Sequence, residues 1–229
     1  MATNVKPDEL NYDHYETKKY DDQIVRSIPG HEELHKHIDQ LVESLPEEPK
    51  ILELGVGTGL TAERILRKRP NAEYVVVDFS EQMLAGARGR LSKYDVKFVN
   101  GDYSKIGLPE DNDLVVSVIS IHHQETDEDK KRLFQRIYDS IKDTGAFIFG
   151  DLVTYRNEEE AALNEARHFH HLVENAQDED SLREWAHHHK HLNKLAPLED
   201  QVDWLREIGF RDVEVVYRRF NTALVYAQK

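Results

Sequence analysis

Three glycines on alternate positions, Gly55, Gly57 and Gly59, follow the stretch Ile51-Leu52-Glu53-Leu54 and precede an amphipathic run that starts at Leu60. A strand feeding a bare turn feeding a helix leaves backbone amides at a helix N-terminus and lets a ligand approach closely. Asp78 closes the next apolar run, where a carboxylate can accept hydrogen bonds from a ribose diol. Asp102 closes "VKFVNGD" in the same way, and His122 and His123 follow the apolar "SVISI". An imidazole titrates near neutral pH and can take a proton from a nucleophile. The glycines read G-x-G-x-G with Leu at position 60, so the dinucleotide pattern G-x-G-x-x-G is incomplete. No Gly-Lys-Ser/Thr follows, which excludes a phosphate-gripping P-loop. A glycine turn alone is also the tight turn of any α/β fold. The reading that uses Asp78 and Asp102 as well is an adenosine-type ligand.

These residues need elements to hold them. "ILELG", "EYVVVD", "VKFVNGD", "NDLVVSVISIHH", "AFIFGDLV", "DVEVVYRRF" and "TALVYAQ" read as strands rich in Val, Ile and Phe. Helical patterns follow the first, second and fourth of these, which predicts a mostly parallel sheet covered on both faces. The last two strands follow each other directly and predict an antiparallel end to the sheet. Gly145 is the expected stop of the helix "DEDKKRLFQRIYDSIKDTG". The expected organisation is a helical cap over 1–49, an α/β core over 50–157, an inserted helical lid over 158–196, and a helix with a β-hairpin over 197–229. In the insertion, Ala162, Ala166, Phe169, Val173 and Ala176 mark one helical face, and Leu182, Trp185, His189 and Leu192 mark another.

Composition narrows the function. The chain has 229 residues, 39% of them apolar, and a net charge of −14, which disfavours direct nucleic-acid binding. The 13 histidines would nearly cancel that charge if all were protonated. No long uncharged apolar run predicts a membrane span, and no apolar N-terminal stretch predicts a signal peptide. The chain has no cysteine, so neither disulfides nor thiolate chemistry arise. A cytoplasmic location is expected; a homodimer stays open.

"ILELGVGTG" resembles the first motif of the class I, Rossmann-like methyltransferases that depend on S-adenosylmethionine (SAM). The resemblance covers residues 50–151 well. It implies a seven-stranded sheet with a reversed last strand, SAM as cofactor, and a methyl transfer. It further implies that Glu53 orients the loop and the amino-acid end of the cofactor, and that Gly55, Gly57 and Gly59 line its methionyl and ribose parts. Asp78 would hold the ribose hydroxyls and Phe79 would flank the adenine. Asp102 would meet the adenine amine beside Tyr103, and Met83 and Ser120 complete the set. SAM carries a sulfonium and no phosphate, and "GVGTGL" has no Lys or Arg. "IVRSIPGHEEL" and the C-terminal "WLREIGFRDVEVVYRRFNTALVYAQK" are also similar to the carboxy-SAM synthases that serve tRNA wobble modification. Those enzymes have Ser-Leu in the middle of the loop where this chain has Gly57 and Thr58, so plain SAM is expected.

Ligands of open α/β sheets lie beyond the carboxyl ends of the strands. That places His123 and His122 at the methyl group as candidate catalytic bases, with only one facing the pocket if the strand stays regular. The expected acceptor is a small molecule contacted by Tyr12, Tyr15, Tyr20, His170, His189 and Arg218. Arg218 and Arg219 would suit a carboxylate. His168 with His171 and His187 with His191 have spacings that can share a metal ion. No H-E-x-x-H occurs, and the expectation is solvated helix faces with no metal. Carboxy-SAM synthase chemistry and non-catalytic SAM binding are the competing readings.

Overall fold

The computed structural model describes residues 17–229. Two helices, α1 (Thr17–Ser27) and α2 (His31–Leu41), precede β1 (Lys50–Leu54), α3 (Leu60–Lys68), β2 (Glu73–Asp78), α4 (Glu81–Arg90), β3 (Val96–Asn100) and β4 (Asn112–Val118). Then come α5 (Asp127–Ser140), β5 (Ile141–Leu152), α6 (Glu158–Asn175), α7 (Glu179–His187), α8 (Leu198–Ile208), β6 (Asp212–Arg219) and β7 (Thr222–Gln228). The sheet order is β3-β2-β1-β4-β5-β7-β6. β1 to β5 pair in parallel, and β7 runs antiparallel to both β5 and β6. The seven-stranded, mostly parallel sheet with a reversed last strand is as expected.

Alternation along the strands divides the core. Leu52, Leu54, Val75, Val77, Val115, Phe147 and Phe149 pack on one face with α5 and α8. Ile51, Tyr74, Val76, Leu114, Val116 and Ile148 pack on the other with α2, α3 and α4. Glu53 follows the second register, which carries its carboxyl to Tyr74 rather than to solvent. The chain leaves β1 in one direction and returns to β4 on the other side. The loops after β1 and β4 therefore meet at the topological switch point, where an open sheet parts to admit a ligand.

Three local expectations fail. The strand expected through His123 ends at Val118, because Ile119 takes φ 51° and residues 121–123 wind into a 3₁₀ turn. Helix α5, begun by a reciprocal Thr126–Asp129 capping box, ends at Ser140 rather than at Gly145. Residue 141 already pairs with Asn112, and the register then shifts to Ala146 opposite Leu114. Gly145 serves that bulge: a Cβ there would stand 2.6 Å from Ile141 Cγ2 and 2.7 Å from the Asn112 carbonyl. The third failure is on α6, which buries Asn164, His168 and Leu172 and leaves Val173 60% exposed. Its inward face is thus partly polar, and an apolar periodicity cannot find it.

Candidate active site

The first cavity, of about 230 Å³, opens at the switch point and is lined by Gly55, Gly57, Asp78, Phe79, Met83, Asp102, Tyr103 and Ser120 among others. Gly55 and Gly57 sit at φ 72° and 54°, conformations that cost an L-residue with a side chain about 1–2 kcal/mol. A Cβ on Gly55 would stand 2.0 Å from Ser120 Oγ, whereas one on Gly57 would meet no atom within 4 Å. The loop after β1 is held by β2: Gly55 N donates to the Val77 carbonyl at 2.8 Å and Gly57 N to Asp78 Oδ2 at 2.8 Å. Asp78 Oδ1 accepts from Ser80 N at 2.9 Å. Burial pushes the Asp78 carboxyl up, opposed by these backbone donors. Asp78 is therefore a brace of the loop as well as a lining group. The sequence shows only a carboxylate at a strand end; the two amides it accepts from add the bracing role.

Asp102 Oδ1 accepts from Ser104 N and Oγ at 2.9 and 2.6 Å, and Oδ2 pairs with Lys105 Nζ at 2.8 Å. Tyr103 Oη bonds Ser120 Oγ at 2.9 Å, tying the loop after β3 to the loop after β4. Gly59, at φ 85°, is not in the lining; its missing Cβ would lie 3.4 Å from Ala87 Cβ and Leu91 Cδ1, so its bareness serves the α3–α4 packing. Glu53 lines a separate recess of about 60 Å³ behind the glycines, together with His31, His35, Gly55 and Gly57. Burial raises its carboxyl to about 8, against a 2.7 Å bond donated by Tyr74 Oη and with the Asp78 charge adding to the rise.

A further chamber of about 90 Å³ adjoins the first and shares Tyr20, Ile119 and His123 with it. Its other walls include Ile24 and Ile28 from the N-terminal segment, Leu152 at the end of β5, and Leu172, Trp185, His168, His188 and His189 from the insertion. Helix α1 is fastened over the glycine loop, since Asp21 accepts from Thr58 Oγ1 and pairs with Arg90. Ile119, a β-branched residue at positive φ, stands at the junction, the kind of strained position found at working sites.

Both histidines of the 3₁₀ turn reach the second chamber, their rings 4.0 Å apart. The strand alternation that would have separated them ends before they begin. His122 is 3% exposed; its Nδ1 bonds Asp151 Oδ1, and its backbone N donates to Asp151 Oδ2 at 2.8 Å. His123 Nδ1 lies 3.4 Å from the Leu192 carbonyl, and burial with the nearby His122 and His188 holds its imidazole well below the usual range. Lys130 stands behind the turn, its Nζ donating to the Gln124 carbonyl at 2.9 Å.

Other expected contacts divide. Tyr20 lines all three cavities and His189 the second. His170 is not in that lining: it is exposed and pairs with Glu174 at 3.3 Å on the outer face of α6. Arg218 is half-exposed, bonds Glu160 at 3.0 Å and lies over the Tyr155 ring, away from the chambers. Tyr12 and Tyr15 lie outside the described residues. His187 and His191 are solvated neighbours, as expected, but His168 is 2% exposed and inward, against expectation. Among the described residues no three His, Asp or Glu side chains form a metal-binding group, and no helix is long and apolar enough to cross a membrane.

A family model described as a methyltransferase domain matches residues 51–145, the span that builds the first cavity. The chain has the class I, SAM-dependent methyltransferase fold, and the match supports SAM as its cofactor. It is 26% identical over 227 residues to the carboxy-S-adenosyl-L-methionine synthase of Nautilia profundicola, covering 96% of this chain and 95% of the relative. It is 29% identical over 100 residues to a malonyl-[acyl-carrier protein] O-methyltransferase of Bacillus anthracis, 44% of this chain but only 36% of that protein's length. The N-methyltransferase NodS of Bradyrhizobium japonicum, solved with S-adenosylhomocysteine (SAH), shares the fold with a TM-score of 0.62 at 17% identity, over 88% of each chain.

The first cavity fits SAM by its chemistry. The open position over Gly57 and the carboxylates of Asp78 and Asp102 suit a ribose and an adenine amine, and the buried acid Glu53 lines the recess behind the glycines. Asp151, His168 and His188 are the residues that sequence reasoning missed. Asp151 sits inside "FIFGDLV", where one acid in an apolar run was the available signal.

Proposed function

We propose that this methyltransferase transfers the methyl group of SAM to a hydroxyl or nitrogen of a small-molecule acceptor held in the second chamber. The supporting observation is the shared wall: Tyr20, Ile119 and His123 border both the cavity suited to SAM and the chamber beside it. Bound SAM supplies an electrophilic methyl on a sulfonium that departs as a neutral thioether. The chain must then align the nucleophile and receive its proton. His122 is the better base of the two. Asp151 fixes its tautomer, leaving Nε2 as the acceptor, and stabilises the imidazolium after proton uptake. His123, with its basicity suppressed by burial, acts as a wall that excludes water. In balance, the acceptor O–H or N–H loses its proton to His122 Nε2, a bond to carbon forms, and the C–S bond breaks. The test is purification with retained ligand, then incubation with labelled SAM and a panel of hydroxyl and amine metabolites. Methylation of a panel member that His122→Ala lowers by ~10²-fold or more, with SAH affinity unchanged, supports the reading. Equal turnover by that variant overturns the assignment of the base.

The near full-length similarity to a carboxy-SAM synthase favours a second reading, in which the cofactor itself is modified. That chemistry places a carboxylate in the site. Among the described residues, the second chamber has no Lys or Arg in its lining, and Arg218 bonds Glu160. Mass analysis of the retained ligand separates the two readings.

A further inference from the structure

The proposed proton acceptor, His122, reaches the second chamber from the turn after β4, and a different set of polar groups lines it from the insertion. His189 Nε2 donates to the Glu165 carboxylate at 2.9 Å, which leaves its Nδ1 to accept from Asn193 Nδ2 at 3.3 Å. Asn193 lines the chamber, and its buried Oδ1 has no hydrogen-bond partner among the described residues. His168, 2% exposed, stacks on His189 with centroids 4.0 Å apart. Its Nδ1 lies 2.6 Å from Asn221 Oδ1, and with the amide in this orientation Nδ1 carries the proton, while the Nδ2 of the same amide is buried without a partner. Nε2 of His168 is therefore a lone pair. No described residue bonds it, and the ring lines the chamber. Burial holds this imidazole down to about 3, so the lone pair persists at neutral pH.

Two acceptors without donors, both beside His189, are an incomplete set, and buried polar groups left unpaired are costly. The rest of the lining is apolar or uncharged except for Glu184, so an anion finds no counter-charge among the described residues. A water needs about 10–15 Å³ of such space, and the chamber thus holds a single substituted ring. We propose that the acceptor substrate is a small uncharged molecule whose end remote from the methylated atom carries hydrogen-bond donors, read by His168 Nε2 and Asn193 Oδ1. This rests on the methyl-transfer reading of the same chamber. Discrimination by paired polar groups is steep, because a ligand lacking the donors strands both acceptors.

The test uses three ring-sized probes with the full chain saturated with SAH: resorcinol, 1,3-dimethoxybenzene and benzoate, followed by ligand-observed NMR and titration. Resorcinol should bind at least tenfold tighter than either other probe. His168→Phe keeps the ring and removes the lone pair, and Asn193→Leu removes the carbonyl. Each should weaken resorcinol at least tenfold while SAH affinity stays within twofold. Dimethoxybenzene or benzoate binding as tightly as resorcinol overturns the proposal, as does resorcinol affinity that neither variant changes. Failure of the chain to bind SAH overturns the methyl-transfer reading itself, which separates the two failures. His168→Gln serves as a second variant if the Phe ring prevents folding, and it should lose resorcinol by a similar factor.

Discussion

Asp151→Asn poses a choice the buried site cannot satisfy. In the wild type one carboxylate oxygen faces His122 Nδ1 and the Leu152 amide, the latter at 2.9 Å, and the other accepts from His122 N at 2.8 Å. All three contacts are made by donors. If the new NH₂ replaces the first oxygen, the Leu152 amide is orphaned and Nδ1 must become an acceptor. The proton then moves to Nε2, the atom required to take the substrate's proton. If NH₂ replaces the second oxygen, the tautomer survives and the His122 amide is orphaned. Either arrangement leaves a buried donor unpaired, at about 1–3 kcal/mol. The imidazolium also loses its countercharge, so turnover should fall ~10²-fold or more in both cases. Urea denaturation measures the first effect, and long-range ¹H–¹⁵N correlation at His122 measures the tautomer without needing the acceptor. A variant within 0.5 kcal/mol of wild type at about the precision of such measurements, with unchanged ¹⁵N shifts, would refute the dyad.

Gly57→Val places a side chain in the open position of the cavity at φ 54°. SAH affinity should fall ~100-fold, with about 1–2 kcal/mol of stability lost to the left-handed backbone; calorimetry showing less than a threefold change would remove Gly57 from the site. Glu53→Gln should stabilise the free protein at pH 7 by about 3 kcal/mol, because the raised carboxyl, at about 8, disfavours folding above the unfolded value near 4.5. The same variant should bind SAH more weakly, since an amide cannot ionise against an ammonium; tighter binding would contradict that role. Acid should destabilise the fold. Burial, with neighbouring charges adding, holds His31 and His168 down to about 3 and His188 to about 4, below the unfolded 6.5. The unfolded chain therefore binds more protons, and stability that is full above pH 6.5 is lost as pH falls, at roughly 2 kcal/mol per histidine by pH 5. Glu53 works in the opposite direction by about 2–3 kcal/mol between pH 7 and 5, leaving a net loss of about 3 kcal/mol. Urea midpoints at the two pH values check it, and an equal or higher midpoint at pH 5 would refute it.

The parallel core was legible because its strands are continuous apolar runs, and the loop after β1 because its glycines fall between a strand and a helix with Asp78 closing the next strand. Gly59 was misplaced because a glycine needed for helix packing looks like one needed for a ligand. The His122–Asp151 pairing was hidden by 29 residues of separation and by a 3₁₀ turn that nothing in "SVISIHH" announces. The inward face of α6 was missed because its anchors, Asn164 and His168, are polar and bond only the β6–β7 connection and the helix itself. Arg218 read as a carboxylate clamp from its type alone; the edge strand that carries it turns it to Glu160.

The glycine-loop cavity should hold the cofactor with its sulfur towards the histidine-lined chamber. A crystal structure with SAH would show this. The ribose hydroxyls should lie at Asp78, the adenine between Phe79 and Asp102, and the sulfur at the wall formed by Tyr20, Ile119 and His123. SAH bound with its sulfur turned away from that wall, or bound outside the cavity, would contradict it.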